Sequence, residues 1–166
     1  MPRGLGETTI TLSVLDRLID LEPENSLENP LSRTQSVRVL KSAVRRDLEW
    51  LLNTRQIVDT PDEALKEANR SVYVYGLPDL SALTMATAGD RNRLTKQLTA
   101  AIANFEPRLT NVRLSLVEKP DAAKKDVHLR IEAMLRMDPV PEPVSFDTVI
   151  ELKSGRCHLS GGEDAR

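Results

Sequence analysis

DVHLRIEAMLRM, residues Asp126–Met137, decides the fold class. Val127, Leu129, Ile131, Ala133, Leu135 and Met137 put an apolar side chain at six successive odd positions, while His128, Arg130, Glu132 and Arg136 fall between them. A period of two places the two sets on opposite faces of a strand, one buried and one wet. The pattern repeats downstream in Val144, Phe146, Thr148, Ile150 and Leu152, and upstream in Val112, Leu114 and Leu116, which alternate with Arg113 and Ser115. The polar run Pro120–Lys125 suits a hairpin connection. Ser154-Gly155 can turn the chain once more into a short strand at Arg156–Leu159.

Before Pro107 the period is helical. Val37, Leu40, Val44, Leu48, Leu51 and Leu52 recur at steps of three and four, with Ser32 or Thr34 available as cap. The opposite face carries Arg38, Lys41, Arg45, Arg46 and Glu49, either a solvated face or a basic strip for a partner subunit. Leu12, Leu15, Leu18 and Ile19 predict an earlier helix over Ile10–Leu21, capped by Thr9 or Thr11. The prolines, asparagines and serines of Glu22–Ser32 predict a loop. Thr60-Pro61-Asp62-Glu63 reads as a helix start, for a short helix ending near Asn69. Ser71–Tyr75 reads as a brief extended piece. Asp90 opens a helix with Leu94, Leu98, Ile102 and Phe105 on one face, which must stop before Pro107. Helices first and strands afterwards imply an α+β fold, with N-terminal helices packed on one face of a small C-terminal antiparallel β-sheet.

The chain of 166 residues fits one domain and can bury a core without staples. We expect a flexible lead over 1–9, a single domain over 10–160 and a disordered tail over 161–166. Apolar residues make up 40% and charged residues 29%, which is a globular profile. With only 3% aromatics, Leu, Val, Ile and Ala must build the core. A net charge of −2 and few aromatics for stacking argue against a nucleic-acid partner. No stretch approaches the ~18–20 apolar residues of a membrane span. MPRGLGETTI lacks the apolar run of a signal peptide. The single Cys157 allows no internal disulfide, so a cytoplasmic location is the easier reading.

No catalytic constellation emerges. His128 and His158 lie far apart, and no zinc spacing, phosphate loop or nucleophile elbow is present. We expect no catalytic residue, no metal and no cofactor.

Three short phrases stand out in order: DLEWLLNTR (Asp47–Arg55), YGLPDL (Tyr75–Leu80) and FEPRL (Phe105–Leu109). Asn53 can take the left-handed conformation that ends helices, with Arg55 beyond it. Trp50 lies off the apolar stripe, where it either bridges to a neighbouring segment or sits at an interface. Gly76 gives a bend and Pro78 stiffens the loop. Glu106 and Arg108 flank a proline at a helix-to-strand junction. There Arg108 can fork onto a carboxylate, either Glu106 or an acid on a partner.

Taken together, these phrases resemble the TssE family. These are lysozyme-like wedge subunits of type VI secretion baseplates, related to the small wedge protein of contractile phage tails. The resemblance runs from about Ile10 to Leu152 and includes VSFDT (Val144–Thr148). It implies a non-enzymatic structural subunit that joins the wedge proteins TssF and TssG near the spike hub and docks the contractile sheath. It also implies assembly at the inner face of the cytoplasmic membrane. Glu106, Pro107 and Arg108 match the family's Glu-Pro-Arg motif, associated with docking and sheath initiation. Trp50, Arg45 and Arg46 are further partner-contact candidates, and Arg108→Ala is expected to leave the domain folded but to impair sheath assembly. One alternative is the wedge protein of a phage tail or phage-derived particle. A second is a peptidoglycan-cleaving lysozyme-like enzyme, for which Glu106 is the one suggestive acid. A nearby Arg108 would lower its pKa, which is wrong for a general acid.

Overall fold

The computed structural model describes residues 10, 12–19, 23, 32–80, 85, 87–117, 126–151 and 154–161. The lead over 1–9, most of the Glu22–Ser32 loop, the Pro120–Lys125 connection and the tail beyond Gly161 lie outside the described residues. Helices occupy the first part of the chain and strands the second. They are α1 (Val14–Leu18), α2 (Arg33–Asn53), α3 (Ala88–Phe105), β1 (Leu109–Leu116), β2 (Asp126–Leu135), β3 (Glu142–Glu151) and β4 (Cys157–Gly161). Gly161, expected to begin the tail, ends β4 instead.

The strands form one antiparallel sheet in the order β1-β2-β3-β4. β2 and β3 pair without interruption from Asp126↔Glu151 to Leu135↔Glu142. Ile131 therefore stands opposite Phe146, and Val127 opposite Ile150, on the buried face. Met137 lies beyond the end of β2 but still packs against the core. β1 solves a phase conflict visible in its own sequence. Leu109 is odd-numbered, whereas Val112, Leu114 and Leu116 are even. A bulge between Thr110 and Arg113, with Asn111 at φ 55°, inserts the one residue that brings both sets to the core side.

α2 and α3 cover that face, α3 against β1 and α2 against β4. Ser32 resolves the cap of α2 by a reciprocal box. Its hydroxyl accepts from the Gln35 amide at 3.3 Å, and its own amide donates to Gln35 Oε1 at 2.9 Å. Leu40, Val44, Leu48, Leu51 and Leu52 are buried as the stripe requires. α3 starts slightly before Asp90, with Thr87 accepting from the Asp90 amide at 3.0 Å. It ends at Glu106, whose successor Pro107 disfavours further helix.

Four local expectations need correction. The first helix spans only Val14–Leu18 and is capped by Ser13. Its Leu15, Leu18 and Ile19 are exposed, and a helix with no buried stripe has little to extend it. The segment from Thr60 forms turns and a 3₁₀ turn at Ala68–Arg70. There Asp62 Oδ1 captures the Ala64 amide at 2.8 Å, and Asn69 donates to the carbonyls of Asp62 and Leu65. Such side-chain bonds compete with helix. Ser71 does the same at the next 3₁₀ turn, Val72–Val74, where an extended piece was expected. Asn53 stays helical; Thr54 closes α2 in the extended region. The Asn53 amide is used elsewhere. It donates to the Cys157 carbonyl at 2.8 Å and accepts the Cys157 amide at 2.9 Å, fastening β4 to the end of α2.

The Tyr75–Leu80 loop is held to the same helix end. Leu77 N donates to Thr54 O and Gln56 N to Leu77 O, both at 2.8 Å. Gly76 permits this approach. Its φ is +109°, and a Cβ there would sit 2.4 Å from Thr54 O. Gly76→Ala should lower the unfolding free energy by about 2 kcal/mol or more. A urea melt within about 0.5 kcal/mol of wild type would contradict the close approach.

Candidate functional site

The three phrases meet in space. Tyr75, from the middle phrase, stacks edge-on against Phe105 with ring centroids 5.2 Å apart. Phe105 ends α3 and Glu106 follows as its cap, so the Pro107 turn carries Arg108 back across Glu106. Arg108 Nε donates to Glu106 Oε1 at 2.6 Å and Nη2 to Glu106 Oε2 at 2.5 Å. The same Nη2 donates to Asp47 Oδ2 on α2 at 2.6 Å.

Asp47 passes the contact onward. Its Oδ1 accepts from Arg46 Nε at 2.9 Å. Arg46 Nη2 lies 2.8 Å from both Asp47 Oδ1 and Asp16 Oδ1, in ion-pair contact but out of line for a hydrogen bond. The Arg46 guanidinium also sits over the Trp50 ring, 4.9 Å from its centroid. The result is one alternating chain of charges, Asp16–Arg46–Asp47–Arg108–Glu106. It ties α1, α2 and the α3–β1 junction together.

Burial sets the strength of each link. Glu106 is only 4% exposed, so Arg108 supplies the hydrogen bonds that water cannot. The Glu106 hydrogen bonds, with help from Asp47, raise the Arg108 pKa further above its already high value. Partial burial opposes the charge on Arg46, but Asp47 and Asp16 outweigh it and raise its pKa. Burial also opposes the charge on Asp16, yet the Ser13 hydroxyl at 2.5 Å and Arg46 hold its pKa below the ordinary value. Burial, then the negative charges of Asp47 and Glu106, push the Tyr75 phenol up and keep it protonated.

Sequence reasoning named Glu106, Pro107, Arg108, Trp50, Arg45 and Arg46. The structure joins four of them in this network. Pro107 is exposed at the turn, beside a shallow cleft of about 370 Å³ lined with Arg108, Arg136, Met137 and Asp138. Arg45 points to solvent and forms no ion pair among the described residues. Asp16 and Asp47 were missed as site residues. Asp47 stood inside a quoted phrase, but only the fold shows that it spans two arginines. Removing Arg108 would strand the buried Glu106 carboxylate, and breaking such a pair costs about 3 kcal/mol. Arg108→Ala is therefore expected to lower the stability of the domain.

His128 and His158, far apart in sequence, both stand opposite Val149 on the outer sheet face. Among the described residues no group of three His, Cys, Asp or Glu side chains is placed to hold a metal ion. Burial pushes the Cys157 thiol up to about 12, so it remains protonated.

The family described as baseplate wedge protein gp25 matches residues 38–140. This chain belongs to that family. The matched span runs from α2 past β2 and contains Arg46, Asp47, Trp50, Glu106 and Arg108. Asp16 and the Val144–Thr148 segment fall outside it. A solved chain from "The baseplate complex from the type VI secretion system" is similar at 17% identity with a TM-score of 0.46. The similarity covers 68% of this wedge-family chain and 95% of that one. No curated protein matches.

The depressed pKa of Asp16 gives the network a pH signature. Its contribution to holding α1 is complete above the unfolded value of about 3.9 and is lost as pH falls through the lower folded value. Carbon-detected NMR of the Asp16 carboxyl should give a midpoint below about 3.9, with α1 shifts moving in parallel. A midpoint at or above that value would contradict the contact.

Proposed function

We propose that this chain is a structural subunit of a type VI secretion baseplate, without enzymatic activity. In this reading it joins the wedge proteins TssF and TssG beside the spike hub, and it docks the contractile sheath. The observation that carries the reading is the family match over residues 38–140, which encloses the whole junction of the three phrases except Asp16. Assembly takes place in the cytoplasm, at the inner face of the cytoplasmic membrane. Among the described residues no helix is long and apolar enough to cross that membrane.

The geometry supports an assembly role in two ways. Glu106 and Arg108 satisfy each other internally, which fixes the Pro107 turn as a rigid, exposed projection for a partner to read. The sheet also offers edges for an added strand. Asn53 already occupies the outer N–H and C=O of Cys157, so the β4 edge is partly capped. On β1, Val117 N bonds to His128 O. The antiparallel alternation therefore turns the main-chain groups of Leu114 and Leu116 to the open side. A sheath or wedge strand pairs there. Trp50, Arg45 and Arg46 supply a second contact, with Arg46 acting through its stack on Trp50.

The same geometry opposes the alternatives from other classes. Both Glu106 oxygens accept from Arg108, and the residue is buried, so it offers no accessible acid to a glycosidic oxygen. Arg46 is engaged by two aspartates, which takes it away from phosphate binding. A phage-tail wedge remains the second reading, because the family description names a baseplate wedge without naming the machine.

Affinity capture of the tagged protein from its native cells, followed by mass spectrometry, tests the proposal. Wedge and sheath subunits should co-purify. Recovery of phage capsid and tail proteins would favour the second reading. Failure to recover any baseplate protein where these are expressed, together with clearing of cell-wall suspensions, would overturn the assembly role.

A further inference from the structure

α1 is fastened by charge and hardly at all by burial. No residue of α1 is buried as a whole, and Val14 at 72%, Leu15 at 49% and Leu18 at 76% exposure are open to solvent. So short a helix does not stand by itself. The one side chain of α1 that the body covers is Asp16, 6% exposed, whose Oδ1 lies 2.8 Å from Arg46 Nη2. Upstream, Ile10 and Leu12 pack against the core. Loss of the Asp16 contact therefore frees α1 and leaves its root in place.

Arg46 is arranged to receive a carboxylate whether or not Asp16 is there. Its Nε donates to Asp47 Oδ1 at 2.9 Å, and its guanidinium lies over Trp50, 4.9 Å from the ring centroid. Asp47 is itself held by Arg108. None of these contacts involves α1, so they outlast its departure and keep Nη2 aimed at the vacated place. Asp16 fills that place imperfectly. Nη2 is shut off from water and lies 2.8 Å from two carboxylates, yet it donates a well-aligned bond to neither. Such a donor favours a carboxylate that approaches in line with it. Exchanging one carboxylate for another also leaves the charge of the network as it is.

We propose that α1 is a strap and Asp16 a built-in placeholder: an Asp or Glu side chain of a partner displaces Asp16 from Arg46, and α1 lifts as the partner seats on Arg46 and Trp50. That the partner is a baseplate subunit rests on the assembly reading. That the binding group is a carboxylate rests on the geometry of Arg46. While closed, the strap weakens the site, because the apparent Kd is the intrinsic one divided by the open fraction.

Asp16→Asn and Arg46→Gln break the same ion pair, and together they separate a placeholder from a merely structural anchor. In hydrogen exchange of the full chain, both should speed the amides of Arg17 and Ile19, which bond to the Ser13 and Leu15 carbonyls at 3.1 Å. The expected factor is about fivefold, equivalent to a partly exposed ion pair of ~1 kcal/mol, with Leu48 and Leu51 keeping wild-type rates. In native cells the two variants should part. Tagged Asp16→Asn should recover more co-purifying baseplate subunit than wild type, by up to about fivefold, and Arg46→Gln should recover less. Urea midpoints check that each variant is folded. If Arg46→Gln is not, Trp50→Leu at its half-exposed position gives the same loss without touching the ion pair. Unchanged exchange at Arg17 and Ile19 would overturn the strap. A fall or no change in recovery with Asp16→Asn, while wild type recovers baseplate proteins, would overturn the placeholder. If wild type recovers no baseplate subunit, the assembly reading fails, and the proposed partner fails with it.

Discussion

Arg108 is the residue on which the arrangement of this fold depends. Glu106 is buried at the point where α3 stops and β1 is about to begin, and a buried carboxylate without a partner would cost several kcal/mol. The Pro107 turn brings a fork of donors across it two residues later. Because the same guanidinium also reaches Asp47, satisfying Glu106 fixes where α2 crosses the junction. Helix layer and sheet are thus oriented by one side chain as well as by their shared apolar core.

Two polar fasteners complete the frame. The Asn53 amide imitates a strand partner for Cys157 and ties β4 to the end of α2. One residue further on, Thr54 receives the Tyr75–Leu80 loop, which Gly76 lets approach to backbone contact. Both fasteners act at the helix end named by the first phrase. The charged and polar residues of the phrases are therefore largely spent on internal geometry. Among the described residues they leave outside the Pro107 turn and the apolar side of α1, where Val14 and Leu18 are exposed.

Much of this was legible in the sequence wherever a periodic pattern coincided with burial. β2 and β3 follow their alternation, and α2 and α3 follow their stripes, because hydrophobic phase alone specifies them. Readings based on local capping signals fared worse. Thr60-Pro61-Asp62-Glu63 has the residues of a helix start, but Asp62 and Asn69 close local turns over a mostly exposed segment with no stripe to reward a helix. Asn53 looked like a helix terminator and proved to be a strand clamp, a role fixed by Cys157 104 positions away. At the site, the Glu106–Arg108 pair was visible because its members are two residues apart. Asp47 and Asp16 were not, because their partners come together only in the folded chain. The β1 bulge was implicit in the phase conflict between Leu109 and Val112, with Asn111 as the residue suited to absorb it.

The central claim is that Arg108 couples α2 to the α3–β1 junction through Asp47. A double-mutant cycle in urea, using Asp47→Asn, Arg108→Lys and the pair, measures that coupling without leaving a bare cavity. The account predicts a favourable coupling of about 1 kcal/mol or more, as for charge-assisted bonds shielded from water. Additive single-variant effects, with a coupling near zero, would mean that the two residues are merely neighbours and that the core alone sets the orientation of helices and sheet.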